Sequence, residues 1–399
     1  MGGLVVVGAS LAGLRAVEAA RKTGFDGPIT LIGAEEHLPY DRPPLSKAFL
    51  AKEDTAPPMF RDEQVLRDEL GVHLALGRPA SGVDTRRRTV RVGDEEYGYD
   101  ALVIATGARA RTVPGWDTLR GVYTLRTLDD AIAVRTALTP GTNLVVVGAG
   151  FIGSEVASSA RDRGLTVTIV EAQPTPLVRA VGAHMGAACS SLHARNGTTL
   201  RCGVGVAAIE GDGAVERVRL SDGTVLTADM VVVGVGASPA TQWLAGSGLT
   251  LEDGVVCDET LHTGAPGVYA AGDVARWHNP MFSRHMRLEH WTSAAEQGAL
   301  AARNALDPAN ARPYATVPYF WSDWYGSRFQ FVGIPASDEV RVVDGDTDGA
   351  GFTALYREGD RLAGALTLNR PRDIMKYRRL IAGESSWDDG LAFAKTRTT

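Results

Sequence analysis

Two stretches of the chain share one pattern of hydrophobic and polar positions. The first begins at Leu4 with the uninterrupted apolar run LVVV, and the second begins at Leu144 with the same run. In each stretch a glycine-containing turn, an alanine-rich helix, another glycine, a second apolar run and an acidic residue follow. Continuous apolar runs, unlike alternating ones, are typical of parallel strands that are covered on both faces. The pattern therefore predicts an α/β fold in which one βαβ unit is used twice.

The turn of the second copy has the chemistry of a dinucleotide site. Gly148, Gly150 and Gly153 form the pattern GxGxxG. The first glycine permits a tight turn, the second lets the backbone approach a pyrophosphate, and the third lets strand and helix pack closely. The helix that follows presents N–H groups and a positive dipole end to phosphates. Glu171, after the next apolar run, can accept hydrogen bonds from a ribose 2′-OH. A turn that merely packs is the alternative.

The first copy departs from this pattern at one position. Its turn carries Gly8, Ser10 and Gly13, so serine replaces the middle glycine. Because the serine side chain is small, close approach of a phosphate is still expected. Two acids, Glu35 and Glu36, follow the second apolar run, and Glu35 is the predicted ribose ligand. Two such units in one chain predict two bound dinucleotides.

Bulk properties narrow the class of protein. A chain of 399 residues corresponds to two or three domains of about 100–200 residues each. The hydrophobic fraction of 44% and the charged fraction of 22% are ordinary for a globular protein. A net charge of −6 argues against a nucleic-acid partner. No apolar run reaches the roughly 18 residues that a membrane-spanning helix needs, so we expect no membrane association.

The cysteines exclude one kind of chemistry. The chain has three, Cys189, Cys202 and Cys257, and none precedes Cys189. An odd, widely spaced set argues against a disulfide framework and is typical of a reducing cytoplasm. No CxxC pattern or Cys/His cluster is present, so we expect no metal site. A redox-active dithiol after the first βαβ unit is likewise excluded.

Several motifs together resemble one family. They are PYDRPPLSK at 39–47, ALVIATGARA at 101–110, LRTLDDA at 125–131, GAGFIGSEVA at 148–157, AAGDVA at 270–275, RLEHWTSAAEQG at 287–298 and FWSDWYG at 320–326. The chain closely resembles the FAD-dependent ferredoxin reductases of bacterial oxygenase systems, within the glutathione-reductase-like flavoproteins. The resemblance covers essentially the whole chain.

The resemblance implies a domain organisation. We expect two Rossmann-like, three-layer dinucleotide-binding domains and a small C-terminal α+β domain. The FAD-binding domain would comprise residues 1–109 and 238–317, the NAD-binding domain 110–237, and the C-terminal interface domain 318–399. In the last of these, FTALYREGDRLAGALTLN predicts a strand–turn–strand, and PRDIMKYRRLIAG predicts a short basic helix between proline and glycine.

The resemblance also assigns cofactor-binding positions. Asp273 would bind the flavin ribitol, for which a helix N-cap is the alternative, Trp291 would line the pyrimidine edge, and Arg42 would face the pyrophosphate. The expected FAD-binding residues are Gly8, Ser10, Leu11, Ala12, Gly13, Glu35, Arg42, Lys47, Ala80, Ala105, Thr106, Gly107, Arg126, Gly272, Asp273 and Trp291. The expected NADH-binding residues are Gly148, Gly150, Phe151, Ile152, Gly153, Glu155, Glu171 and Gly236.

The PYDRPPLSK loop suggests how the reaction is assisted. Its two prolines fix φ and favour extended conformations before them, which predicts a rigid entry to a helix capped by Ser46. The family's lysine that Lys47 matches lies near the flavin N5 side, where a cation can stabilise an anionic hydroquinone. The expected catalytic residues are Lys47, Glu155 and Trp321. The alternatives are a solvated lysine, an exposed helix glutamate and a core aromatic residue.

The resulting hypothesis is an enzyme that passes electrons from NADH through FAD to an iron–sulfur ferredoxin, which feeds a monooxygenase or dioxygenase. A rubredoxin reductase or NADH oxidase, and a redox-sensing flavoprotein similar to the apoptosis-inducing factors, are the alternatives. Ferredoxins are generally acidic, so we expect a local basic docking patch. Its candidate residues are Arg284, Arg287, Arg328, Lys376, Arg378 and Arg379.

Overall fold

The computed structural model describes residues 3–335 and 337–396. The α-helices of these residues are α1 Leu11–Lys22, α2 Ala48–Ala51, α3 Leu128–Ala137, α4 Phe151–Asp162, α5 Val178–Arg195, α6 Trp291–Leu306, α7 Pro371–Ala382 and α8 Trp387–Lys395. No helix in the described part of the chain is long and apolar enough to cross a bilayer.

The strands are numbered along the chain. The first eight are β1 Gly3–Val7, β2 Ile29–Ile32, β3 Val72–Ala75, β4 Ala80–Asp84, β5 Thr89–Val92, β6 Glu95–Ile104, β7 Ala108–Ala110 and β8 Val122–Tyr123. The next eight are β9 Asn143–Val147, β10 Thr166–Glu171, β11 Thr199–Cys202, β12 Val206–Glu210, β13 Arg217–Leu220, β14 Val225–Thr227, β15 Met230–Val233 and β16 Ala237–Pro239. The last nine are β17 Val255–Cys257, β18 Val268–Ala270, β19 Ala275–Asn279, β20 Arg284–Met286, β21 Tyr319–Trp324, β22 Ser327–Gly333, β23 Glu339–Gly345, β24 Phe352–Glu358 and β25 Arg361–Leu368.

The described chain divides into two compact units. The first contains residues 1–41, 58–109 and 238–316, and the second contains 42–57, 110–237 and 317–399. The segment 42–57, which includes most of the PYDRPPLSK loop, thus groups with the second unit, whereas the sequence places it inside the first dinucleotide half.

The first unit contains the first βαβ repeat. Strands β1, β2 and β3 are parallel, and β1 also pairs in parallel with β6. The later strand β18 adds to β6, so the chain returns to this sheet after the second repeat. Helix α6 packs on α1, and a Cβ on Gly298 would lie 2.1 Å from the carbonyl oxygen of Ala12. The contact between these helices therefore requires a glycine.

The second unit contains the second repeat and the C-terminal sheet. Strands β11, β10, β9, β15 and β8 form a parallel sheet in that order. Strands β21, β22, β25, β24 and β23 form an antiparallel sheet in that order. The predicted duplication of the βαβ unit is confirmed, as are the strand–turn–strand and the helix that ends before Gly383.

The predicted helix cap at Ser46 is wrong. Residues Pro43–Ser46 form a 3₁₀ turn, and Lys47 stands at the N-cap position of the short helix α2. The paired prolines fit this tight turn because proline at its start needs no backbone donor. The hydroxyl of Ser46 has a different partner, which is described below.

Candidate functional site

The first glycine turn is built by close backbone approach. Gly8 has φ of +122°, and a Cβ there would lie 2.0 Å from the carbonyl oxygen of Ala105. A Cβ on Gly13 would lie 1.9 Å from the carbonyl oxygen of Gly8. Ser10 stands at the N-cap of α1 but makes no side-chain capping hydrogen bond. The first N–H groups of α1, which begins with Leu11 and Ala12, are thus not capped by this side chain.

The acid after β2 is held by a tyrosine. The hydroxyl of Tyr40 donates to Oε2 of Glu35 at 2.5 Å, and the N–H of Gly77 donates to the Glu35 carbonyl at 2.9 Å. Ala80 begins β4, three residues after Gly77. The structure therefore fixes Glu35 at the carboxyl end of β2, where a ribose ligand is expected.

The segment 105–107 and the AAGDVA segment both adjoin the first glycine turn. The N–H of Ala105 donates to the Val7 carbonyl at 2.7 Å, Thr106 Oγ1 donates to the Ala240 carbonyl at 2.9 Å, and Gly107 has φ of +65°. A Cβ on Gly272 would lie 3.2 Å from Cβ of Ala12.

Asp273 lies in the middle of the 3₁₀ turn Gly272–Val274, whose N-cap is Ala271. The alternative role of Asp273 as an N-cap is therefore excluded. Its carbonyl oxygen accepts a hydrogen bond from Arg287 at 3.2 Å. The backbone N–H of Gly272 donates to Oε1 of the buried Gln297 at 2.8 Å, which fixes the turn to α6.

Trp291 opens helix α6 and is oriented by an acid from the PYDRPPLSK loop. Its Nε1 donates to Oδ1 of Asp41 at 2.8 Å. The N–H of Asp41 in turn donates to the Pro58 carbonyl at 2.8 Å. Nothing in the sequence pairs two residues so far apart, so Asp41 was not among the predicted site residues.

The second glycine turn repeats the geometry of the first. Gly148 has φ of +101°, and a Cβ there would lie 2.4 Å from the Gly234 carbonyl oxygen, while one on Gly153 would lie 2.2 Å from the Gly148 carbonyl oxygen. A Cβ on Gly150 would meet no atom within 4 Å. Packing within the described chain therefore does not demand glycine at 150, whereas approach of a phosphate group does.

Glu171 ends β10 and is tied to this turn. Its Oε2 accepts from the N–H of Ala149 at 2.9 Å, and its Oε1 accepts from the N–H of Gln173 at 2.8 Å. Gly236, with φ of +96°, accepts from the N–H of Arg111 at 2.9 Å. The carboxylate of Glu171 is thus placed beside the GxGxxG backbone.

Glu155, on the first turns of α4, is a buried acid. Its side chain is 3% exposed, and Nζ of Lys47, itself 19% exposed, lies 3.0 Å from Oε1. The hydroxyl of Ser46 donates to Oε2, and the hydroxyl of Ser322 donates to Oε1. The alternatives of an exposed helix glutamate and a solvated lysine are therefore excluded.

The surroundings of Glu155 act on its pKa in opposite directions. Burial raises the pKa of Glu155, and the Lys47 ammonium and the hydrogen bonds from Ser322 and Ser46 act against that rise. Ser46 and Ser322 were missed by sequence reasoning. Both lie inside quoted motifs, but no spacing rule connects them with Glu155.

The aromatic motif after Tyr319 separates into two faces. Trp321 is partly buried, and its ring lies 5.8 Å from that of Tyr319 in a stacked arrangement. Phe320, on the other face, lies 4.9 Å from Phe151 at the start of α4. Ile152, the next residue of α4, is 47% exposed.

Two predicted FAD ligands belong to the second unit. Nη1 of Arg42 donates to the carbonyl oxygen of Arg126 at 2.6 Å, and the N–H of Arg126 donates to Asp130 at 2.9 Å. The structure therefore brings Arg42 and Arg126 together.

Arg287 and Arg328, both candidates for the docking patch, are engaged by acids. Arg287 is 12% exposed and pairs with Asp253 and Glu289. Arg328 pairs with Asp323 at 2.7 Å. These ion pairs offset part of the positive charge of Arg287 and Arg328, and their role in docking stays a prediction.

Helix α7 instead presents a basic exposed face. Its exposed residues include Arg372, Met375 and Arg379, which are spaced by three and four positions. Lys376 lies over the ring of Phe393 with Nζ 5.9 Å from the centroid. Arg378 donates to the Val317 carbonyl at 3.1 Å. Arg372 was not among the predicted residues.

Comparison with known proteins shows relatives that cover nearly the whole chain. A family model described as pyridine nucleotide-disulphide oxidoreductase matches residues 3–298, and one described as reductase C-terminal matches residues 319–396. Rhodocoxin reductase of Rhodococcus erythropolis is 37% identical over 96% of this chain and 90% of its own length. The benzene 1,2-dioxygenase system ferredoxin–NAD(+) reductase subunit of Pseudomonas putida is 37% identical over 96% of this chain and 92% of its own length. The covalent putidaredoxin reductase–putidaredoxin complex contains a similar structure, with TM-score 0.91, 32% identity and coverage of 96% of this chain and 93% of that chain.

Proposed function

Because the chain belongs to the pyridine nucleotide-disulphide oxidoreductase family, we propose that it is an NADH-dependent ferredoxin reductase. The observation that carries this proposal is whole-chain similarity, through both domain models, to reductases whose names specify a ferredoxin and NAD(+). The ferredoxin would in turn feed a monooxygenase or a dioxygenase.

The cofactors of this enzyme are FAD and NAD(H). Bound FAD accepts a hydride and releases single electrons. We assign the FAD dinucleotide to the first glycine turn with Glu35 and Asp273. The uncapped start of α1 and the close backbone approach at Gly8 fit a pyrophosphate there. We assign NADH to the second turn, where Gly150 needs no glycine for packing and Glu171 suits a free ribose 2′-OH.

The residues that assist the reaction are also proposals. We assign Lys47 as the cation that favours the reduced flavin, Glu155 as its partner, and Trp321 as an aromatic neighbour of the flavin.

The described structure has no disulfide, and Cys189 and Cys257 are buried. Burial raises the pKa of Cys189 to about 12, which keeps this thiol inert. A dithiol relay through these cysteines is therefore not part of the proposal.

The domain limits and the location are part of the same proposal. We assign residues 1–109 and 238–317 to FAD, 110–237 to NADH and 318–399 to the C-terminal interface domain, although segment 42–57 groups with the second unit. Free cysteines support a cytoplasmic location.

The test is NADH-driven reduction of cytochrome c by the purified protein, with and without an added iron–sulfur ferredoxin from a panel. We expect fast turnover only when a ferredoxin is present. Turnover that no ferredoxin stimulates would favour an NADH oxidase. Very slow flavin reduction with a long-lived charge-transfer band would favour a redox-sensing flavoprotein, and stimulation by rubredoxin alone would favour a rubredoxin reductase.

A further inference from the structure

The Glu155 carboxylate is surrounded by donors from two separate segments of the chain. Ser46 and Lys47 come from the loop before α2, and Ser322 comes from β21. We infer that Ser46 and Ser322 are positioning residues, which hold the Glu155 carboxylate ionised and directed at Lys47. This inference rests on the proposed function, since it concerns how Lys47 is presented for the reaction.

A lone lysine would hold this carboxylate less well. Removing a carboxylate from water favours its protonated form, and burial acts in that direction on Glu155. One ammonium group engages Oε1, whereas Oε2 is engaged by Ser46. Buried charges persist when their additional lone pairs also receive hydrogen bonds. The two hydroxyls supply those bonds, so they favour the ionised form that attracts Lys47.

The direction of the Ser322 hydrogen bond is set by a tryptophan. Nε1 of Trp324 donates to Oγ of Ser322 at 2.7 Å. An indole N–H can only donate, and a hydroxyl has a single proton. Because Ser322 accepts from Trp324, its own proton is available for Glu155. This geometry suits an ionised carboxylate, which can only accept.

The other charged groups nearby do not replace this arrangement. On β21, Asp323 points to the opposite face of the strand and pairs with Arg328. From α5, His193 stacks on Trp324 with ring centroids 5.3 Å apart, and burial lowers the pKa of His193 to about 4, so the ring is neutral near pH 7. The charge that acts against the rise in the pKa of Glu155 is the ammonium of Lys47.

Lys47 is in turn held from two sides. Its Nζ lies 3.0 Å from Glu155 and donates to the Pro43 carbonyl at 3.4 Å. Protonation of Glu155 would remove the charged partner and leave only the weak contact to Pro43. The serines therefore act on the reaction through Glu155 and Lys47.

The test is the pH profile of flavin reduction by saturating NADH in Ser322→Ala and Ser46→Ala, followed by stopped flow. Loss of one hydrogen bond to a charged group changes the ionisation equilibrium of Glu155 by about tenfold. The acidic limb of the pH profile should therefore move about one pH unit upward. Ser322→Thr, which keeps the hydroxyl, should restore the profile. Ser158→Ala is the matched control, because its hydroxyl accepts from the Tyr325 N–H on the same helix–strand contact without reaching Glu155.

A double-mutant cycle separates charge from packing. In a Glu155→Gln background the same serine substitutions should leave the acidic limb where it is, since no ionisation is left to perturb. A profile of Ser322→Ala that matches wild type, or a shift of equal size in the Glu155→Gln background, would overturn the inference.

A second readout does not depend on NADH. The melting temperature of the purified full-length protein is compared with Ser322→Ala at about pH 8 and about pH 5. Because the hydroxyl favours ionised Glu155, the loss caused by Ser322→Ala should be larger at the higher pH, and this difference should vanish with Glu155→Gln. If NADH did not reduce the flavin at all, the proposed function would be wrong, but the melting temperatures would still test the inference. A decrease in melting temperature that is equal at both pH values would refute the inference.

Discussion

Nζ of Lys47 lies 3.0 Å from Oε1 of Glu155, a carboxylate that is 3% exposed. This relationship sets the first prediction. In Lys47→Met the limiting rate of flavin reduction by NADH should fall about a hundredfold, the usual effect of losing a donor that acts on developing charge. The apparent affinity for NADH should change much less, because the lysine is proposed to stabilise the negative charge that the flavin carries only after it is reduced. Stopped-flow reduction over a range of NADH concentrations measures both quantities.

Lys52→Met is the control for this variant. Lys52 is exposed and follows the same short helix, so its removal changes charge but not the Glu155 pair. An unchanged limiting rate in Lys47→Met would reduce Lys47 to a structural role.

The second prediction concerns the choice of nucleotide. Glu171 accepts from the N–H groups of Ala149 and Gln173, so its negative charge is held beside the second glycine turn. That charge should repel a 2′-phosphate, and we expect a strong preference for NADH. Glu171→Gln should raise the kcat/KM for NADPH relative to NADH by about tenfold, equivalent to about 1.4 kcal/mol.

Steady-state kinetics with both nucleotides measures this ratio. Glu216→Gln, which removes an acid paired with Arg217 elsewhere in the same unit, should leave the ratio unchanged. Comparable efficiencies of the wild-type protein with the two nucleotides would contradict the assignment of Glu171.

The third prediction concerns flavin retention. Asp273 follows Gly272, which approaches Ala12 at the start of α1, and it is assigned to the flavin ribitol. Asp273→Ala should weaken FAD affinity about tenfold or more, since a hydrogen bond to a charged group contributes about 1.5–3 kcal/mol. Flavin content after gel filtration and titration of the apoprotein with FAD measure the loss. Asp94→Ala, on an exposed turn, is the control, and full retention in Asp273→Ala would remove Asp273 from the site.

The fourth prediction concerns the basic face of α7. Lys376→Glu combined with Arg379→Glu should raise the apparent KM for an acidic ferredoxin about tenfold or more and flatten the fall of turnover with salt. Flavin reduction by NADH should not change. Reversal of Arg86 and Arg87, on the exposed turn between β4 and β5, introduces the same charge change as a control. If the α7 reversal left both the KM and the salt dependence intact, ferredoxin would dock elsewhere.

The fifth prediction concerns stability at acid pH. Nδ1 of His193 lies 2.9 Å from the Tyr325 hydroxyl and Nε2 lies 3.2 Å from the Ser154 hydroxyl, and burial lowers the pKa of His193 to about 4. A histidine whose pKa is lower in the folded than in the unfolded state stabilises the fold at pH values above its unfolded pKa, which is near 6.5. That stability is lost as pH falls from about 6.5 toward 4, by about 3 kcal/mol in total.

His193→Phe should therefore flatten the fall in melting temperature between about pH 7.5 and pH 5, although it lowers stability at neutral pH. His290, whose pKa is also lowered to about 4, still contributes to the remaining slope. His184→Phe, an exposed position on the same helix, should leave the slope as in wild type. A slope in His193→Phe equal to that of wild type would show that the buried imidazole does not titrate on unfolding.

The sequence by itself determined the features that depend on local pattern. Continuous apolar runs separated by glycine turns specify βαβ units, because strand burial and turn geometry follow from neighbouring residues. The duplication, both glycine turns and the β24–β25 hairpin could be read in this way. The absence of any cysteine before Cys189 likewise excluded a dithiol from the PYDRPPLSK loop without a structure.

Only the tertiary structure decided how distant side chains meet. Glu155 gains Ser322 from a strand 167 positions away, and Trp291 gains Asp41 from 250 positions away. Ser46 looked like a helix cap because serine before a helix usually is one, yet its hydroxyl has the stronger partner in a buried carboxylate. The acidic partners of Arg287 and Arg328 were not predicted, because a sequence does not show which acid lies opposite. Charge, burial and hydrogen bonding depend on packing between segments, and no local pattern encodes that packing.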